Sequence, residues 1–321
     1  MNIESLINID NNFLIKDNLS KDVLKKSISF IANQKGVKIN KIEKAYKKKI
    51  FQKLKLPPKI SFDEIHIIIK TNFNHDLKFI DFNKSLIFYE EKSNSGLTLK
   101  KINKYNLINI DFFPPTNHEN GLISQKLAKG IFNRPKNLLQ FDSDILKNIS
   151  EVISVLSTLN NAKIKISNHI KNFKYSRKED PLNYKIIKKM HSSLNKYEEE
   201  NIQTALTHGD FKCEHLYSLN TQLEYVIDWE NVGIRSVFFD LLNFFVPWFA
   251  KRSYNYTDIK NYILQFVKSY LPQFRKVLIG KYDLYFSVFA LERYARMYNG
   301  RSSKFNLNSA RKRYYSLFKD L

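Results

Sequence analysis

Apolar and polar positions recur along this chain with two different periods, and the change from one to the other outlines its organisation. Over residues 20–34, Val23, Leu24, Ile28 and Ile31 fall at helical spacing, Ser20 stands as an N-cap and Gly36 follows as a stop. That pattern predicts a short amphipathic helix. Val37-Lys38-Ile39-Asn40 then alternates as the start of a half-buried strand does. Residues 49–56 alternate more loosely and stop at Pro57-Pro58, and residues 64–70 form a third candidate strand closing on Lys70. Further on, Ile145, Leu146, Ile149, Val152, Ile153 and Leu156 return to helical spacing, predicting a helix over 144–159. Residues 160–183 are mostly polar and basic and read as a surface excursion, and 184–205 as another helix or two. Residues 256–270 and 282–298 are helical patterns rich in aromatic residues. Such stripes are more often core than pocket, so no ligand is assigned to them. No internal repeat interrupts this plan of strands first and helices after.

One stretch carries chemistry. Thr207-His208-Gly209-Asp210-Phe211-Lys212-Cys213-Glu214-His215 is followed by the apolar runs 216–219 and 223–227, parted by Asn220-Thr221-Gln222, and then by Asp228-Trp229-Glu230. This reads as loop, strand, turn, strand, loop, with both acidic loops at the same end of a hairpin. Two carboxylates and a further ligand-type side chain at one place suit a metal-bound nucleotide and a hydroxyl that must lose its proton. Asp210 is the candidate acceptor of that proton, with His215 and Asp228 as candidate metal ligands.

The words His-Gly-Asp and Ile-Asp-Trp-Glu resemble the aminoglycoside phosphotransferase and choline kinase-like family of the protein kinase-like superfamily. Asn231-Val232-Gly233-Ile234 and Phe239-Asp240-Leu241-Leu242 extend the resemblance, which is specific over residues 207–242 and one of layout elsewhere. It implies an α+β, two-lobed protein kinase-like fold with a small β-rich N-lobe over 1–130 and a larger helical C-lobe over 131–321. Residues 121–130 would form the last N-lobe strand and the hinge. Asp240 would hold the catalytic loop by hydrogen bonds and take no part in the chemistry. Lys70 would hold the nucleotide phosphates, paired with Glu90 on the helix that follows; the alternative is that the apolar run 84–91 is a strand, and Lys70 then merely closes its own strand. The turn Lys44-Ala45-Tyr46-Lys47-Lys48 would face the phosphates, although it has no glycine to permit a close backbone approach. His215 departs from the family's usual Asn. Macrolide phosphotransferases carry His there, and imidazole shifts the expected preference from Mg²⁺ somewhat towards Mn²⁺.

The resemblance thus implies a small-molecule kinase moving the γ-phosphoryl of ATP or GTP to a hydroxyl of a sugar, amino alcohol, glycan or antibiotic. The alternative is a catalytically inactive kinase-like binding module. Composition adds limits. The formal net charge is +22 over 321 residues, but the lysines are dispersed and no nucleic-acid motif accompanies them. The excess therefore reads as a solvated surface with some attraction for phosphate-bearing substrates, and not as a nucleic-acid interface. The single cysteine, Cys213, excludes an internal disulfide, fits a reducing cytoplasm, and reads as a small loop filler. No signal peptide is evident, and the most apolar run, 237–250, is too short for a bilayer and contains Asp240, Asn243 and Pro247. The basic and aromatic segment 309–321 reads as a packed C-terminal helix or, alternatively, as peripheral contact with an anionic membrane.

Overall fold

The computed structural model describes residues 3–299 apart from 11, 36, 56–62, 64, 71–76, 91–96, 120, 131–140, 172, 174–187, 189 and 251. The expectations for Pro57-Pro58 and for 309–321 lie outside the described residues. The chain divides into two compact units. The first holds residues 1–134, 217–219 and 224–230, and the second holds 135–216, 220–223 and 231–321.

In the first unit the elements run β1 (Ile3–Asn8), β2 (Phe13–Lys16), α1 (Lys21–Lys35), α2 (Ile39–Lys47), β3 (Phe51–Lys55), β4 (Ile67–Lys70), β5 (Leu77–Asp81), β6 (Leu86–Glu90), α3 (Leu99–Lys104), β7 (Thr116–Glu119) and β8 (Leu122–Lys126). The eight strands form one sheet in the order β3-β1-β2-β4-β5-β6-β8-β7, and every adjacent pair is antiparallel. Alternation of side chains makes the sheet two-faced. Ile15, Ile67, Ile80 and Ile87 align in register and pack with Ile28, Ile31 and Ala32 of α1 and Ile42 of α2. The opposite parity, Leu14, Ile68, Phe79 and Phe88, forms the other face with Leu6 and Ile65.

Three sequence expectations need correction here. Residues 37–40 do not start a strand: Ile39 opens α2 and is exposed, while Ile42 and Tyr46, four apart, supply the inward stripe. The lysine turn is therefore no phosphate loop, because residues 44–47 are helical and Lys49, just beyond, is paired with Asp17. Glu90 lies at the end of strand β6, so of the two readings of the run 84–91 the strand is the one found, not the helix on which the Lys70 pairing depended. β1 and β2 were not anticipated at all.

The second unit contains α4 (Ser143–Thr158), β9 (Ala162–Lys165), α5 (Ile166–Ile170) and β10 (Asn201–Thr207); the hairpin strands β11 (Leu216–Leu219) and β12 (Gln222–Val226) follow. Then come β13 (Gly233–Ser236), α6 (Phe239–Ala250), α7 (Tyr256–Tyr270) and α8 (Arg275–Asn299). β10 sits between β13 and β9 in a three-stranded antiparallel sheet. A strand thus leads into the catalytic loop where a helix was expected, and residues 162–170 carry a strand and a short helix inside the supposed surface excursion.

The helices anticipated over 144–159, 256–270 and 282–298 are present as α4, α7 and most of α8. Asp142 caps α4 by accepting from the Asp144 and Ile145 N–H groups, and Asn255 with Asp258 forms a capping box on α7. The aromatic stripes build core. Phe245 of α6 packs on Tyr262 and Phe266 of α7, and Phe239 packs on Phe289 of α8. A buried network adds a polar tie: Glu292 of α8 accepts from Ser236 N–H and Oγ of β13 and lies 2.8 Å from His169 Nε2 of α5. Among the described residues no helix is long and apolar enough to cross a membrane.

Candidate active site

The loop after β10 is fixed by its own main chain. Gly209 has φ +81°, and a Cβ there would lie 2.2 Å from the Asn231 carbonyl oxygen, so only glycine fits. The buried Asp240 carboxylate, in the first turn of α6, accepts from His208 N–H at 2.6 Å and from Gly209 N–H at 2.9 Å. Asp240 is a structural brace, in the role the resemblance gave it. Arg235 of β13 bonds both Thr207 Oγ1 (2.6 Å) and the Asn231 carbonyl (2.9 Å), and Thr207 Oγ1 in turn donates to the Gly233 carbonyl. Beyond the loop's tip, Phe211 is fully buried against Phe244, and its carbonyl accepts from Asn243 Nδ2 at 3.0 Å.

The Asp210 carboxylate at the tip is largely buried, with Lys212 Nζ 3.0 Å from Oδ2 and Arg293 of α8 3.9 Å from Oδ1. His215 ends a one-turn 3-10 helix, and its Nδ1 lies 2.9 Å from the Asp210 backbone carbonyl. A carbonyl oxygen only accepts, so Nδ1 must donate. In the neutral ring the lone pair is then on Nε2, the arrangement of a metal-binding imidazole. Asp210 and His215 are therefore brought into one loop. Cys213 in the same turn is buried and forms no disulfide.

Asp228 belongs to the first unit. It follows β12 and has φ +70°, an uncommon backbone conformation for a residue with a side chain, which costs on the order of 1 kcal/mol. The alternation in Asp-Trp-Glu explains the motif. Trp229 is buried against Phe112 and Phe113, and its Nε1–H donates to the Val226 carbonyl. Asp228 and Glu230 point the other way, and both lie 2.9 Å from the ammonium of Lys78 on β5. Burial works against the charge of Lys78, but the two carboxylates more than offset it and hold this lysine above the ordinary lysine range. Lys101 of α3 donates to the Glu230 carbonyl at 2.6 Å.

The expected pair of Lys70 and Glu90 is not formed. Lys70 donates to Gln52 Oε1 at 2.7 Å, and Glu90 is exposed on a strand facing Leu122 of β8. Strand parity explains it: Lys70 shares a face with Ile68, whereas Lys78 shares one with Ile80 and stands opposite Tyr89. Lys78, Glu230, Lys212 and Arg293 are the charged residues that reading the sequence missed. Glu230 and Lys212 lay within the motif and signalled themselves by spacing; nothing local marked Lys78 or Arg293.

The chain has the two-lobed α+β protein kinase-like fold. It is similar over 81% of its length to an amicoumacin kinase, hAmiN, solved with AMP-PNP, Ca²⁺ and Ami, covering 90% of that chain at 10% identity and a TM-score of 0.51. Other similar structures are choline kinase LicA from Streptococcus pneumoniae (16% identity, 78% and 91% covered, TM-score 0.48) and a thermostable mutant of aminoglycoside phosphotransferase APH(4)-Ia with ADP and hygromycin B (13%, 76% and 89%, 0.48). No protein-family model and no curated protein matches the sequence.

Proposed function

We propose that this protein is a small-molecule kinase that transfers the γ-phosphoryl of ATP or GTP to a hydroxyl of its acceptor. The observation that carries the reading is Asp210: a carboxylate on a loop pinned by Gly209, Asp240 and Asn243, five residues before an imidazole whose Nδ1 donates to the loop's own carbonyl. In the step itself the acceptor oxygen bonds to the γ-phosphorus, the bond from phosphorus to the bridging oxygen breaks, and the nucleoside diphosphate leaves. Asp210 orients the hydroxyl and takes its proton.

The donor set fits a divalent cation. His215 offers Nε2, and Asp228 and Glu230 already converge on one positive charge, the Lys78 ammonium. We assign His215 and Asp228 as ligands of Mg²⁺, with imidazole also suiting Mn²⁺. An ion held by His215 and Asp228 would supply positive charge to offset that of the nucleotide phosphates. Lys78 replaces Lys70 as the residue we assign to the nucleotide phosphates, held by Glu230 in place of a helix glutamate. The nucleotide complexes of the amicoumacin kinase and of APH(4)-Ia support nucleotide binding, and the named substrates of the three similar structures support a small-molecule acceptor.

The inactive binding module is favoured by one observation: the Lys78 ammonium pairs with both Asp228 and Glu230, the carboxylates a metal would need. Release of phosphate from ATP and from GTP, with water as the default acceptor, separates the two readings. Metal-dependent release that Asp210→Ala abolishes supports the kinase; no release from the wild type, or release unchanged in Asp210→Ala, sinks it.

A further inference from the structure

Among the described residues, two cationic side chains lie within ion-pair reach of Asp210, and they differ in kind. Lys212 is a half-exposed ammonium from the loop itself, 3.0 Å from Oδ2. Arg293 comes from α8, is largely buried, and stops 3.9 Å short of Oδ1. That gap exceeds a charge-assisted hydrogen bond, which closes to about 2.7–2.9 Å. Arg293 is near the catalytic carboxylate without being bonded to it.

Its position is set elsewhere. Arg293 Nη1 donates to Asn243 Oδ1, and Asn243 Nδ2 donates to the Phe211 carbonyl, so α8, α6 and the catalytic loop are linked through one guanidinium. Arg293 Nε is buried and has no hydrogen-bond partner among the described residues. A guanidinium is always charged and presents five donors in a fixed fork, and leaving one buried donor unmet costs about 1–3 kcal/mol. Here such a group is held beside the base, tied to Asn243 through Nη1 and stopping short of Asp210. The other acids near this end of α8 are committed: Glu292 to Ser236 and His169, and Asp240 to the loop amides.

We infer that Arg293 is a specificity residue for an anionic acceptor: an alcohol carrying a carboxylate or phosphate close to the hydroxyl that receives the phosphoryl group. The inference rests on the kinase reading above and goes beyond it by naming the acceptor's charge. Among the described side chains in ion-pair reach of one another here, Asp210 is negative and Lys212 and Arg293 positive, so these three sum to one positive charge beside the acceptor's hydroxyl. An ammonium there is repelled; a carboxylate or phosphate finds the planar fork it matches. The loop's own Lys212 suits the transferring phosphoryl group, and the fixed Arg293 suits the part of the acceptor that stays in place.

The test uses the full chain saturated with Mg²⁺ and a non-hydrolysable ATP analogue, and four matched probes: glucose, glucuronate, glucose 1-phosphate and glucosamine. Thermal shift gives apparent affinities for the wild type, Arg293→Gln and Arg293→Lys. The two acids are expected to stabilise the wild type and glucosamine to have no effect. Arg293→Gln is expected to weaken the acids roughly 10–100-fold, the worth of a hydrogen bond to a charged group, while Arg293→Lys recovers part of the loss. Three results overturn the inference: glucosamine stabilising more than the acids, an acid effect untouched by Arg293→Gln, or no acid effect at all. Loss of nucleotide binding itself in Arg293→Gln also overturns it, since Arg293 then serves the nucleotide. If Arg293→Gln does not fold, Lys212→Glu, at a half-exposed position, is expected to invert the preference towards the amine, and an unchanged preference counts against the inference. Failure of the kinase reading is seen separately, as a wild type that binds no Mg–nucleotide.

Discussion

The catalytic loop of the helical unit and the acidic loop of the sheet unit both present carboxylates, but they are secured by different means. Around Asp210 the fixing contacts are to main-chain groups: Asp240 on two amides, Asn243 on a carbonyl, and Gly209 against another carbonyl. Around Asp228 and Glu230 the orienting contact is a side-chain charge, Lys78, reaching from strand β5. The first arrangement is made of hydrogen bonds to the main chain. The second is an ion pair, which a metal or a phosphate can rearrange by competing for the same charges.

The contrast can be broken from its main-chain side first. Asp210→Ala is expected to lower turnover by roughly 10²–10⁴-fold, the usual worth of a positioned acid or base, with nucleotide affinity nearly unchanged. A steady-state titration with a working acceptor, reading kcat against KM, checks it. Asp240→Ala leaves two buried N–H groups unmet at about 1–3 kcal/mol each, so denaturant unfolding should lose a few kcal/mol. Gly209→Ala, with a carbonyl in the way, should be comparably damaging.

The ion-pair side is sharpened by comparing two lysines. Lys78→Met is expected to raise the KM for nucleotide about tenfold or more, while Lys70→Met changes it by less than about twofold. Equal effects would return Lys70 to the site. The smallest expected effect is on pH dependence. Burial lowers the pKa of His66, partly offset by Asp81, and its Nδ1 accepts from the Phe82 N–H, which requires the neutral ring. The unfolded chain then binds a proton at a higher pH than the folded one. Stability should fall as pH drops below about 6.5, with a slope of at most about 1.4 kcal/mol per pH unit until the folded ring protonates. His66→Gln keeps an acceptor and should flatten that slope in melts run between pH 7.5 and 5.

What was legible in the sequence follows the same division. Residues 207–242 are contiguous, and their chemistry depends on main-chain geometry that Gly209, Asp240 and the hairpin announce locally. The long helices were equally plain, because α4 and α7 repeat their apolar stripe over four turns. The N-terminal unit was harder. Four alternating residues at 37–40 are too short to separate a strand from the first turn of a helix, and an exposed Ile39 counterfeited an inward position. Lys78 lies 150 residues from Asp228, and only strand register puts it on the correct face where Lys70 is not. Arg293 is likewise one cation on a long helix until α6 and the catalytic loop are packed beside it.

The most direct measurement is calorimetric binding of ATP and GTP to the wild type and to Asp228→Ala, each with and without Mg²⁺ or Mn²⁺. Binding that requires the metal and disappears in the variant is the expected result. Nucleotide binding indifferent to both metal and Asp228, or none in the wild type, would contradict the assignment of this site to phosphoryl transfer.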